Sequence, residues 1–136
     1  MRWLNASDTD VLARALVIDA AAQAQCRVAQ RWLSQCNAVF VPQVVQLELA
    51  WLFGRVFALT RNEIVRILDA LLQHPAVTLQ AADAFESALA TFESGGDFAD
   101  GLILYEAKRI DAEVVTFDVK FASRAGATLL AVGQGA

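Results

Sequence analysis

The stretch that decides the fold runs Ala38-Val39-Phe40-Val41-Pro42-Gln43-Val44-Val45-Gln46-Leu47-Glu48-Leu49-Ala50-Trp51. Val39-Phe40-Val41 is a short apolar run of β-branched and aromatic residues, which reads as a buried strand. Pro42 stops it, because proline cannot donate to a sheet ladder. The same proline suits the first turn of a helix, since its fixed φ is already helical. The spacing predicts that helix over 43–57. A strand handing over to a helix within one residue is half of a βαβ unit.

The same alternation extends in both directions. Towards the N-terminus, residues 2–7 read as a short strand. Residues 10–18 carry Val11, Leu12, Ala15, Leu16 and Ile18 at a helical period. A second helix is predicted over 21–35, with Val28, Trp32 and Leu33 as core candidates. Towards the C-terminus, Thr60 with Glu63 three residues on forms a capping box for a helix at 61–73. Val77-Thr78-Leu79 is a strand. Helices follow at 83–93, ending at Gly95-Gly96, and at 98–109. Val114 to Phe117 is a strand, 119–124 a short helix, and Gly126 turns into a last strand at 128–132. Strands separated by helices predict a three-layer α/β/α sandwich around a central, mainly parallel sheet with right-handed crossovers. No repeat or composition break divides the chain, so residues 1–136 read as one domain.

Composition agrees and excludes several functions. With 136 residues, 57% of them hydrophobic and 19% charged, the chain can bury a core and is not disordered. The net charge of −4 argues against nucleic-acid binding by bulk positive charge. That charge is unevenly placed. Residues 1–66 hold seven Arg and five acids, residues 67–118 ten acids and two bases, and the remainder Lys120 and Arg124. Arg14, Arg27, Arg31, Arg55 and Arg61 are the basic candidates for contact with a polyanion. His74, the only histidine, stands in the joint Gln73-His74-Pro75 and reads as a loop residue. Cys26 and Cys36 read as small buried hydrophobes in a reducing cytoplasmic setting, not as metal ligands. No signal peptide or membrane-spanning run is visible.

Five acids stand out by position, several of them at junctions where strands hand over to helices. Asp8 follows the first strand. Glu48 lies among apolar residues on the helix after the second. Asp97 and Asp100 open the helix at 98, three residues apart and so on one face. Asp118 ends the strand Val114 to Phe117. In open α/β sheets, ligands bind outside the carboxyl ends of the strands. Each acid has a second reading. Asp8, Asp97 and Asp118 suit N-caps, Asp100 a first-turn acid that complements the helix dipole, and Glu48 an exposed helix residue. Taken together, clustered carboxylates repel unless a cation joins them. With oxygen ligands alone, that cation is a hard one, Mg²⁺ or Mn²⁺, which suits phosphoryl-transfer chemistry.

In this arrangement the chain resembles the PIN-domain ribonucleases, specifically the toxins of bacterial VapBC-type toxin–antitoxin pairs. Four segments carry the resemblance in order: Asp8-Thr9-Asp10-Val11-Leu12, Pro42 to Glu48 with Leu49-Ala50-Trp51-Leu52 behind it, Asp97-Phe98-Ala99-Asp100, and Thr116-Phe117-Asp118. The resemblance implies that Asp8, Glu48, Asp100 and Asp118 are the catalytic, metal-holding acids, with Asp97 beside them and Thr9, Asp10 and Thr116 in support. It implies cleavage of RNA, tRNA or rRNA loops among the targets, an antitoxin whose tail covers the site, and a homodimer. Position 10 is Asp where the family usually carries Asn, and the first strand is more polar than usual.

Two other readings share some of these residues. Asp8-Thr9-Asp10 also matches the Asp-x-Asp opening of haloacid-dehalogenase-like phosphatases, with Asp8 as nucleophile and Asp10 as acid/base. That chemistry needs an apolar strand before Asp8, which Asn5 and Ser7 spoil. A catalytically inactive domain of the same fold that only binds an antitoxin is the non-enzyme alternative. A phospho-receiver is excluded, because Gln80 stands where its acceptor Asp would follow the third strand.

Overall fold

Proline 42 is the hinge of the central unit. Ala38–Val41 forms a strand, Pro42 leaves the sheet with extended backbone, and Gln43–Arg55 is helical. The computed structural model describes residues 4–133. In chain order its elements are β1 (Leu4–Ala6), α1 (Thr9–Leu16), α2 (Gln23–Gln35), β2 (Ala38–Val41), α3 (Gln43–Arg55), α4 (Arg61–Gln73) and β3 (Val77–Leu79). They continue with α5 (Ala82–Glu93), α6 (Phe98–Arg109), β4 (Val115–Thr116), α7 (Val119–Ala125) and β5 (Thr128–Leu129). A 3-10 turn at Ala20–Ala22, capped by Asp19, leads into α2, so the second helix starts later than its sequence suggests. Among the described residues, no helix is long and apolar enough to cross a membrane.

All strand pairings are parallel, as strands joined through helices require. The sheet is not continuous. β1, β2 and β3 form one ladder in that order, and β4 and β5 form a second. The parallel α/β architecture expected from the alternation is present, with β1-β2-β3 at its centre and β4-β5 as a separate short ladder among the described residues. The second is short on both strands: β4 covers two of the four residues predicted, and β5 two of five. Of the first predicted strand, Leu4–Ala6 is the observed part, while Arg2 and Trp3 lie outside the described residues.

The core sits around β2, the strand paired on both edges. Val39 and Val41 are buried, and Phe40 between them is largely covered, so helices pack on both of its faces. Leu12 of α1, Leu49 and Phe53 of α3, Leu68 and Leu71 of α4 and Phe85 of α5 complete the cluster. Burying each such side chain contributes about 1.5–3 kcal/mol. Gln46 is buried among them. Its Nε2 donates to the carbonyls of Val41 (3.1 Å) and Gln80 (2.8 Å), and Gln80 Oε1 accepts from Gln43 N (2.8 Å). Two glutamines thus tie together the carboxyl ends of β2 and β3.

Two helix faces differ from the apolar pattern. On α2 the buried stripe is Cys26, Ala29 and Leu33, whereas Val28 is 65% exposed and Trp32 only partly covered. Val28 and Trp32 instead line a groove of about 750 Å³ between β1, α1 and α2. α1 stops at Leu16, so Ile18 falls outside it and is exposed; Leu12 and Ala13 are its buried residues. Cys26 is buried, Cys36 half-buried, and both are free thiols. His74 ends α4, and its Nδ1 accepts from Ala76 N at 3.1 Å, a loop role as expected.

Candidate active site

Three of the five acids are helix caps. Asp8 Oδ1 accepts from Val11 N (3.0 Å) at the start of α1. Asp97 Oδ1 accepts from Ala99 N (2.7 Å) and Asp100 N (3.4 Å) at the start of α6. Asp118 Oδ1 accepts from Lys120 N (2.9 Å) and Phe121 N (3.2 Å) at the start of α7. The cap reading and the ligand reading do not compete. Each cap engages one oxygen and fixes the side chain, leaving Oδ2 without a hydrogen-bond or ion-pair partner among the described residues.

The acids fall into two sets. Asp97, Asp100 and Asp118 line one cavity of about 260 Å³, together with Arg61, Lys120 and Arg124. Asp100 is the most covered of the three. Its carboxyl is pushed above the usual Asp range by burial first, then by the negative charges of Asp97 and Asp118. Asp97 reaches this cavity because α6 lies close on α5: a methyl group at Gly101 would stand 2.7 Å from Ala88 Cα, so only glycine permits the approach. The second set is joined through Thr9, whose Oγ1 donates to Glu48 Oε1 at 3.0 Å. That bond ties α3 to the first turn of α1, one residue from Asp8.

Among the described residues, no group of three or more His, Cys, Asp or Glu side chains is placed to hold one metal ion. The junctions that carry Asp8 and Asp118 follow β1 and β4, which belong to separate ladders among the described residues. The donor chemistry fits a hard divalent cation nonetheless. Every candidate ligand is a carboxylate oxygen, and the Asp100 carboxyl is raised by burial and then by the charges of Asp97 and Asp118, which a cation would neutralise.

The supporting residues have defined places. Thr116 Oγ1 accepts from Asp118 N at 2.9 Å, closing the turn that presents Asp118. Asp10 pairs with Arg14 Nε at 3.3 Å, and Arg14 also reaches Asp19 at 3.5 Å. The extra negative charge at position 10 is therefore matched within its own helix, and Arg14 is engaged with acids. Lys120 and Arg124 were not legible as site residues, although their place after Asp118 in a one-turn spacing was a usable signal. Arg61, a candidate for polyanion contact, instead donates through Nη1 to the carbonyls of Phe92 (2.7 Å) and Gly96 (2.8 Å).

No curated protein matches the chain. The PIN domain family, a nuclease-type family whose members are generally metal-dependent, matches residues 7–127, a span that holds every acid of both sets and leaves the phosphatase reading without support, so the chain belongs to the PIN-domain family.

Proposed function

We propose that this PIN domain is an Mg²⁺- or Mn²⁺-dependent endoribonuclease and the toxin of a VapBC-type pair. The observation that carries the reading is the cavity in which Asp97, Asp100 and Asp118 meet, with Asp100 held above its ordinary pKa by burial first and then by the other two charges. On this reading Asp97, Asp100 and Asp118, which share the cavity, would hold the ion, and Asp8 and Glu48, linked through Thr9, would join them when it binds. When bound, the ion would activate a water and stabilise charge at phosphorus. The chain's own residues prepare the place. The caps at Asp97 and Asp118 fix their carboxylates before anything binds, so little ordering remains to be done. Thr9 orients Glu48. Lys120 and Arg124, with Arg61, bring positive charge to the walls of the same cavity, which would favour an RNA phosphate beside the acids.

Cleavage of a structured RNA such as tRNA in the presence of Mn²⁺ tests the reading. Cleavage lost on chelation and in Asp100→Asn supports it. Intact RNA with every divalent ion supports the inactive, antitoxin-binding alternative.

The partner reading rests on the surface beside Glu48. Trp51 is 58% exposed and shares an apolar hollow with Thr9, Leu47, Glu48 and Leu52; Val44 and Val56 are exposed on the same helix or just past its end. An apolar antitoxin segment on Trp51 would bring a following Arg or Lys to Glu48 and silence the site. Mn²⁺ in excess then competes with that segment. Cytoplasmic residence and a homodimer belong to the same proposal, and sedimentation of the purified chain tests the dimer.

A further inference from the structure

The turn between α5 and α6, Ser94-Gly95-Gly96, delivers Asp97 and Asp100 to the site, and two arginines from distant parts of the chain grip it. Arg61 is the first residue of α4, where a cation gains nothing from the helix dipole. Its guanidinium reaches away, over the Phe92 ring (4.4 Å to the centroid), and Nη1 donates to Phe92 O and Gly96 O. These carbonyls end α5 and immediately precede Asp97, so Arg61 caps the C-terminus of its neighbour. Arg124 closes on the other side. Its Nη1 donates to Ser94 O at 3.4 Å, and a methyl group at Gly95 would fall 2.9 Å from its Nη2. Gly95 has φ +105, a conformation that only glycine holds without strain.

We infer that Arg61 and Arg124 are positioning residues: a two-guanidinium clamp on the 94–96 turn that sets where Asp97 and Asp100 stand relative to Asp118. The inference rests on the nuclease reading for its activity arm, but not for its structural arm. The clamp also joins the two sides of the cavity, because Arg124 belongs to the helix that Asp118 caps. It uses charges that would otherwise be free to pair with the acids and so keeps those acids unpaired; none of Arg61, Lys120 and Arg124 forms an ion pair among the described residues.

The test uses the full chain and two readouts. The first is amide hydrogen exchange at Gly96, Ala99 and Asp100 in the metal-free protein. The second is kcat and KM for RNA cleavage with Mn²⁺. Arg61→Met keeps the apolar stem and removes the donors; it should speed exchange at these amides by about tenfold or more. It should lower kcat by about 100-fold, the scale of a small misplacement of reacting groups, with KM changed less than about threefold. Arg61→Lys, which restores a donor, should recover most of both. Arg124→Met removes the donors on the other side and should reproduce the faster exchange of Arg61→Met, which keeps the inference testable if one variant fails to fold. Wild-type exchange at all three amides in Arg61→Met overturns the clamp, as does loosened exchange with unchanged kcat. Absence of cleavage by the wild-type chain refutes the nuclease reading instead, and the exchange arm then still decides whether the turn is clamped.

Discussion

The two sheets of this domain are built from the same kind of residue and put to different uses. In the three-stranded sheet, Val39, Val41 and Leu79 are buried, and helices α3, α4 and α5 add Leu49, Phe53, Leu68, Leu71 and Phe85 with almost no exposure. In the two-stranded sheet and its surroundings, Val115, Phe117, Val119, Leu129 and Leu130 are all exposed, Phe117 at 70%. The first region carries the stability. The second is short, lightly packed and holds Asp118, Lys120 and Arg124 at the site. On the proposed reading the site admits RNA, and an open, thin element serves that better than a core strand.

The largest effect should come from the first region. Phe53→Ala should cost about 3–5 kcal/mol in urea unfolding, because Phe53 is wholly buried and its site cannot collapse easily. Phe117→Ala, with the same atoms removed, should cost less than about 0.5 kcal/mol. Equal costs would break the contrast between the sheets. Next comes Gly101→Ala, whose methyl would press on the Ala88 backbone at 2.7 Å and push α6 off α5. A loss of about 1–3 kcal/mol is expected, with cleavage reduced as Asp97 and Asp100 shift.

A smaller effect belongs to the cap of α4. Thr60 accepts from Glu63 N at 3.2 Å, and Glu63 Oε1 accepts from Thr60 N at 2.9 Å. Thr60→Ala should cost about 1 kcal/mol. The same bonds hold the Glu63 carboxyl below its usual range. Glu63 therefore stabilises the fold above its unfolded pKa, and that contribution fades as pH falls through its lower folded value. Asp100 has the opposite sign and the smallest effect. Its folded pKa is raised, so the folded state holds a proton that the unfolded state has released. Stability of the metal-free protein should fall as pH rises from the ordinary Asp value through the raised one. Asp100→Asn should remove that slope and raise the metal-free Tm at neutral pH. A lower Tm in the variant would contradict the electrostatic account of the cavity.

Much of the larger frame was legible because local rules and tertiary structure agree there. Pro42 ends β2 and starts α3, and the Thr60–Glu63 box starts α4, because each depends on backbone chemistry within a few residues. The caps at Asp8, Asp97 and Asp118 were legible for the same reason. The rest depends on contacts between distant segments. Val28 has the apolar character of a core residue, yet the rotation of α2 on α1 turns it outward and Ala29 inward. The break between β1 and β4 follows from pairing across more than a hundred residues, which periodicity does not report. Arg61 looked like a surface charge because the carbonyls it binds lie 31 and 35 residues away.

The central claim is that the acids around the 260 Å³ cavity work with a divalent ion to cut RNA. Single-turnover cleavage of an end-labelled tRNA, with Mn²⁺ titrated against wild type and Asp100→Asn, tests it most directly. The account predicts saturable, Mn²⁺-dependent internal cleavage by the wild type and a loss of at least about 100-fold in the variant, whose fold remains intact by melting. Cleavage by Asp100→Asn at the wild-type rate, or wild-type cleavage that persists undiminished in excess chelator, would contradict it.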